Sequence, residues 1–170
     1  MKNLLDKLKG GDRRSIGQTD AVVHILKKDP SRFQEVFHGF KCQNPVVRMR
    51  AADIIEKVTR DDHGLLRGYE REIIDEFSVI EQQEVCWHIA LLLPRLSVGK
   101  KDREKIVDVL RRYLEHESKI VVVNAMQALA ELAIMDGLLK KKAVQLIALK
   151  MVDGSPAIKA RGKKLLKTLG

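Results

Sequence analysis

Cysteine is scarce in this chain. Only Cys42 and Cys86 occur among 170 residues, far apart and without Cys-x-x-Cys spacing. That excludes a disulfide framework and the usual zinc patterns. Both are expected to be reduced packing residues in a cytoplasmic protein. Aromatic residues make up only 4% of the chain, beside 45% hydrophobic residues overall, so its layers must be built from Ala, Leu, Ile and Val. No apolar run approaches the roughly 18 residues of a membrane span, and no membrane partner is expected. Met1 to Lys9 holds no apolar core long enough for a signal peptide. Catalytic signatures are missing too: no Gly-x-x-x-x-Gly-Lys-Ser/Thr loop, no Gly-x-Ser-x-Gly elbow and no plausible cysteine nucleophile. Of the five histidines, His24, His38, His63, His88 and His116, no two stand at i, i+4 with a Glu between them. Asp61-Asp62-His63 reads better as a helix start than as a metal fragment, because Asp there satisfies free backbone N–H groups. No catalytic residue, metal or cofactor is expected.

Proline is rare as well, and its positions are informative. Asp29-Pro30, Asn44-Pro45 and Ser155-Pro156 each pair a capping residue with a proline suited to a first helical turn. Pro94 instead falls inside an expected helix, where it removes a hydrogen bond and is expected to kink the chain. No stretch alternates like a β-strand. The chain does repeat itself: Arg50–Val58, His88–Leu96, Asn124–Leu132 and Arg161–Leu169 align. Their last residues are spaced by roughly 37 residues, within the range of helical repeats.

Each unit reads as two antiparallel helices, A then B. The A helices are expected near Ser31–Cys42, Leu65–Phe77, Asp102–Glu115 and Leu138–Met151. The B helices are expected near Pro45–Thr59, Gln82–Leu96, Lys119–Ile134 and Pro156–Leu169. A short amphipathic segment, Leu4 to Leu8, and a helix near Arg13–Lys28 precede them, separated by Gly10-Gly11. The organisation is one domain, 1–170, with capping helices at 1–30 and units at 31–60, 61–98, 99–135 and 136–170. On the first B helix Val47, Ala51, Ile54, Ile55 and Val58 form a single helical stripe. One unit cannot bury such a stripe alone, so the units are stable only as a stack.

Asn44-Pro45-Val46-Val47-Arg48-Met49-Arg50-Ala51-Ala52 resembles the turn and second helix of a HEAT repeat, and Val121–Leu129 is similar. Gly10–Gly17 also looks like the opening of small bacterial HEAT-repeat proteins. The resemblance implies an all-α fold, a right-handed α-α superhelix of about four helix pairs plus N-terminal helices, with B helices lining its concave side. It implies no reaction. The family pattern places an Arg at the site of Arg48 in every unit, whereas Cys86, Val122 and Lys159 stand at the matching positions. HEAT-like metal hydroxylases are expected to use several His-Glu pairs, and His116-Glu117 is a single one. Helical-repeat DNA glycosylases are weakly similar in placing a Trp on a basic surface. Here Leu91, not Asp, stands one turn after Trp87, and the basic charge lies two units away.

Three groups are candidates for a binding surface. Met49, Trp87, Leu91, Val123 and Ile134 form an apolar lane on the side of the B helices opposite the packing stripe. Such a lane either docks a partner or is buried by curvature or the N-terminal helices. Arg50, His88, Asn124 and Arg161 occupy equivalent positions beside it. This polar row either holds a carboxylate or phosphate or makes contacts between units. Finally, residues 137–170 hold nine Lys and Arg against the single acid Asp153, so they carry +8 of the total +9. Lys140, Lys141, Lys142, Lys159, Lys163, Lys164 and Lys167 are either a phosphate-binding patch or the solvated face of a last repeat. The expected function is a non-enzymatic scaffold or adaptor binding a protein or peptide, or another copy of itself, on the concave face. The alternative is nucleic-acid binding through the basic end.

Overall fold

The computed structural model describes residues 3–11 and 17–170. All regular elements among them are helical, with no strand. Eight α-helices occur: α1 (Thr19–Lys28), α2 (Phe33–Phe37), α3 (Pro45–Thr59), α4 (Gln83–Leu92), α5 (Lys100–Leu114), α6 (Lys119–Met135), α7 (Lys140–Val152) and α8 (Pro156–Leu169). A short 3₁₀ stretch, Leu4–Leu8, packs on α1, α2 and α3. Residues 13–16 of the helix expected from Arg13 lie outside the described residues.

Of the three cap–proline pairs seen in the sequence, Asn44-Pro45 and Ser155-Pro156 act as local chemistry predicts, whereas the Asp29 side chain caps nothing and only Pro30 takes its expected place in a first turn. Asn44 caps α3 by accepting from the Val46 N–H at 2.9 Å, with Pro45 in the first turn. Asp62 accepts from the Gly64 N–H and opens the 3₁₀ turn His63–Leu66.

The packing follows chain order. Helix α1 packs on α3, α3 on α4, α4 on α6 and α6 on α8. A second set of elements backs this series: α2 lies against α3, α5 against α6, and α7 against both α6 and α8. The buried residues form one continuous core along it. Small residues at one repeat position allow close approach. Gly39 sits where an added Cβ would lie 2.5 Å from the Cβ of Ala51. Gly162, equivalent to Ala51 and Ala125, faces Met151 and Met126.

The first two A helices differ from expectation. In place of one helix over Ser31–Cys42, the chain makes a 3₁₀ turn (Pro30–Arg32), α2 and a second 3₁₀ turn (His38–Lys41). In place of one over Leu65–Phe77 stand the His63–Leu66 turn, a π-helical turn (Glu72–Glu76) and a 3₁₀ turn (Phe77–Val79). The tightened turn brings Gly39 onto α3, and the wide turn puts Ile73, Ile74 and Phe77 all inside. Phe33, Phe37, Phe40, Tyr69 and Phe77 fill this region, with ring centroids 4.1 to 5.9 Å apart. Most of the chain's few aromatics are thus spent on its least regular part. Pro94 ends α4 rather than kinking it: the helix stops at Leu92 and Leu93–Arg95 forms a 3₁₀ turn.

Candidate interaction surface

The lane residues sit on successive packed helices. Met49 on α3, Trp87 and Leu91 on α4, and Val123 on α6 are all half-buried. Trp87 and Val123 rest against the edge of the core, and the Trp87 ring stands edge-on to His88 with centroids 5.6 Å apart. Ile134 lies apart from these four. It is 63% exposed near the end of α6, about 16 Å along that helix from Val123. There it borders a hollow of about 360 Å³ with Met135, Pro94, Arg60, Arg95, His63 and Glu131. Polar pairs flank the lane. Lys57 bridges Asp53 at 2.9 Å and Asp20 at 3.3 Å on one side. Gln127 donates to Glu131 at 2.6 Å on the other.

The polar row is also assembled, but its members reach toward the preceding element. Arg50 is buried and donates to the backbone oxygens of Leu8 and Gly10, each at 2.7 Å. His88 Nε2 lies 4.0 Å from Asp53 on α3. Asn124 donates to the Trp87 backbone oxygen at 3.4 Å, and Arg161 to Gln127 Oε1 at 2.6 Å. Burial pushes His88 down to about 4, against the upward pull of Asp53 and Glu56, so the imidazole is neutral at pH 7. Its Nδ1 and the Arg161 Nε are buried without a hydrogen-bond partner among the described residues.

A second set of polar ties went unread in the sequence. Glu56 is buried between Arg60, at 2.6 Å, and Arg95, at 2.5 Å. Burial alone raises the Glu56 carboxyl, but hydrogen bonds from the two guanidinium groups outweigh it, and the net shift is downward. Arg48 donates to the Cys42 and Gln43 backbone oxygens and to the Gln82 side chain, while Gln82 donates to the Pro45 oxygen. That Arg therefore ties α3 to the chain ahead of α4, although Cys86, Val122 and Lys159 stand at its matching positions. The one available signal was spacing. Arg95–Glu56 spans 39 residues, Arg161–Gln127 34 and Arg48–Gln82 34, each close to the repeat period.

At the basic end, Lys140, Lys141 and Lys142 on α7 and Lys159, Lys163, Lys164 and Lys167 on α8 are all exposed. Lys142 lies 3.8 Å from Asp108; the other six have no ion pair among the described residues. Of the groups with potential chemistry, Cys42 and Cys86 are free thiols. Burial raises Cys86 to about 11, and it donates to the Ile80 oxygen at 3.0 Å, so it stays a protonated thiol at neutral pH. Among the described residues, no three His, Cys, Asp or Glu side chains converge as metal ligands, and no helix is long and apolar enough to cross a membrane. No protein-family model, curated protein or solved structure matches the chain.

Proposed function

We propose that this protein is a non-enzymatic, cytoplasmic HEAT-like scaffold that binds a protein or peptide on a concave face built from α3, α4, α6 and α8. The observation that carries this reading is Trp87. The only tryptophan stands half-buried at the edge of the core with Leu91 one turn later, and half-buried Met49 and Val123 occupy the neighbouring helices. Large rigid side chains at the centre of a polar-rimmed face are the usual anchors of interfaces. The successive packing of the B helices supports the superhelical architecture, and the two free thiols suit a reducing compartment.

The polar row contributes differently from a ligand cradle. Its side chains are engaged between neighbouring helices, so its role in this reading is to hold the face in shape. The test is affinity capture from lysate of the native organism, with wild-type, Trp87→Ala and Leu91→Ser baits. A partner retained by wild type and lost by both variants supports the surface. A partner retained equally by all three overturns it.

Nucleic-acid binding is the second reading. The observation favouring it is the set of seven exposed lysines on α7 and α8, six of them without ion pairs among the described residues.

A further inference from the structure

The chain entering α4 and the chain leaving α5 enclose a cleft of about 770 Å³. Glu84 forms part of its wall, in the first turn of α4. The residue is only 6% exposed, and its Oε2 is buried with no hydrogen-bond partner among the described residues. A carboxylate left so is unfavourable in its charged form unless a cation or donor reaches it. Neither of the chain's own arginines lining the cleft pairs with Glu84. Arg48 donates to Gln82 and to two backbone oxygens, and Arg112 donates to Ser78 Oγ at 3.3 Å. Glu115 is paired with Lys150 at 3.1 Å, whereas Glu81 and Glu117, which also line the cleft, have no ion pair among the described residues. The cleft therefore holds an excess of negative charge around one recessed, unpaired carboxylate.

We propose that this cleft receives the side chain of an arginine or lysine from a bound polypeptide, its cationic end pairing with Glu84. Two features favour a long side chain over a bare cation. The carboxylates do not converge as a metal site, and Val79 and Ile80 give the cleft an apolar ledge, Val79 being 56% exposed. Arg and Lys carry their charge on a stem of methylenes that covers such a ledge while the head reaches inward. The site lies outside the Trp87 lane and does not rest on that surface being the partner-binding face.

The experiment titrates the protein with acetyl-arginine amide and acetyl-lysine amide, with acetyl-citrulline amide as the neutral isostere. Backbone amide shifts are followed by NMR. The expected result is saturable binding of the two cations in about the millimolar range. Shifts should be confined to Ser78–Glu84 and Arg112–Ser118, with no saturation by citrulline amide. In Glu84→Gln, binding should weaken by about tenfold or more. Saturation by citrulline amide equal to that by arginine amide overturns the proposal, as does the absence of saturation by either cation. So does undiminished binding in a folded Glu84→Gln protein. If that variant does not fold, the contrast between arginine and citrulline in the wild-type protein decides alone. A third arm compares spermidine with an acetylated Arg-Ala-Arg amide; tighter binding of spermidine overturns the assignment to a polypeptide side chain.

Discussion

Arg95 closes onto Glu56 across 39 residues of chain. Its Nη2 meets the carboxylate at 2.5 Å, while its Nη1 donates to the Glu56 backbone oxygen at 2.7 Å and to Thr59 Oγ1 at 3.0 Å. One side chain thereby ties the turn after α4 to the last turn of α3. Removing it leaves a buried carboxylate with Arg60 alone, whose side chain is 63% exposed. Arg95→Met is expected to cost about 2–4 kcal/mol, read as a lower urea midpoint at unchanged slope. Arg60→Met should cost about 1 kcal/mol or less. Equal losses in the two variants would show that Arg95 is not the fastening.

His88 gives the fold a pH dependence of definite sign. Burial lowers its folded-state value to about 4 from the ordinary 6.5. Between those values the unfolded chain binds the extra proton. The stability is therefore complete above about pH 6.5 and is lost as pH falls toward 4. Glu56, lowered by its two arginines against burial, adds a loss of the same sign at lower pH. Unfolding free energy should fall by up to about 1.4 kcal/mol per pH unit between pH 6 and 4.5. His88→Gln should flatten that slope, whatever its effect on stability at pH 7. An unchanged slope in the variant would mean that His88 is not held neutral.

Two glycines separate packing from backbone effects. Gly39→Ala drives a Cβ to 2.5 Å from that of Ala51, a contact with no flexible side chain to yield. It is expected to cost about 1–3 kcal/mol. Gly137→Ala meets nothing within 4 Å and should be neutral or stabilising by up to about 1 kcal/mol. Thermal unfolding of both variants checks this, and equal shifts would rule out the tight approach at Gly39.

Salt distinguishes the two binding readings. A partner held on the Trp87 surface should lose about 2 kcal/mol or more in Trp87→Ala, with salt acting mainly on the association rate. Binding of nucleic acid to the lysines should instead fall steeply with salt, vanish in Lys163→Glu/Lys164→Glu, and be indifferent to Trp87→Ala. A surface plasmon resonance series over ionic strength reads both outcomes.

Much of the architecture was legible from local signals. Caps and prolines delimited α3 at Pro45–Thr59 and α8 at Pro156–Leu169, the ranges expected from the sequence. Lys100–Leu114 and Lys119–Met135 lie within two residues of expectation. The first two A segments were not legible. Phe33, Val36, Phe37 and Phe40 carry an i, i+3, i+4, i+7 pattern that serves a 3₁₀–α–3₁₀ run as well as a single α-helix. Choosing between them depends on Gly39 meeting Ala51, a contact made only after folding. At the candidate surface, the wheel placed Trp87 and Leu91 outward. It could not show that Arg50 and Arg161 turn toward the preceding element, because that direction is set by the neighbouring helix. Glu84 and Arg95 gave no sequence signal beyond spacing, since their environments come from other units.

The four polar contacts of the row differ from one another. Arg50 grips backbone oxygens, His88 faces a carboxylate, Asn124 reaches one carbonyl and Arg161 takes a glutamine. Each junction along the row thus has its own lock and key. A helix moved to another place in the series would bring the wrong donor to the wrong acceptor. The order of these helices is therefore written into their contacts, and exchanging two of them would leave buried Arg50 or His88 without its acceptor.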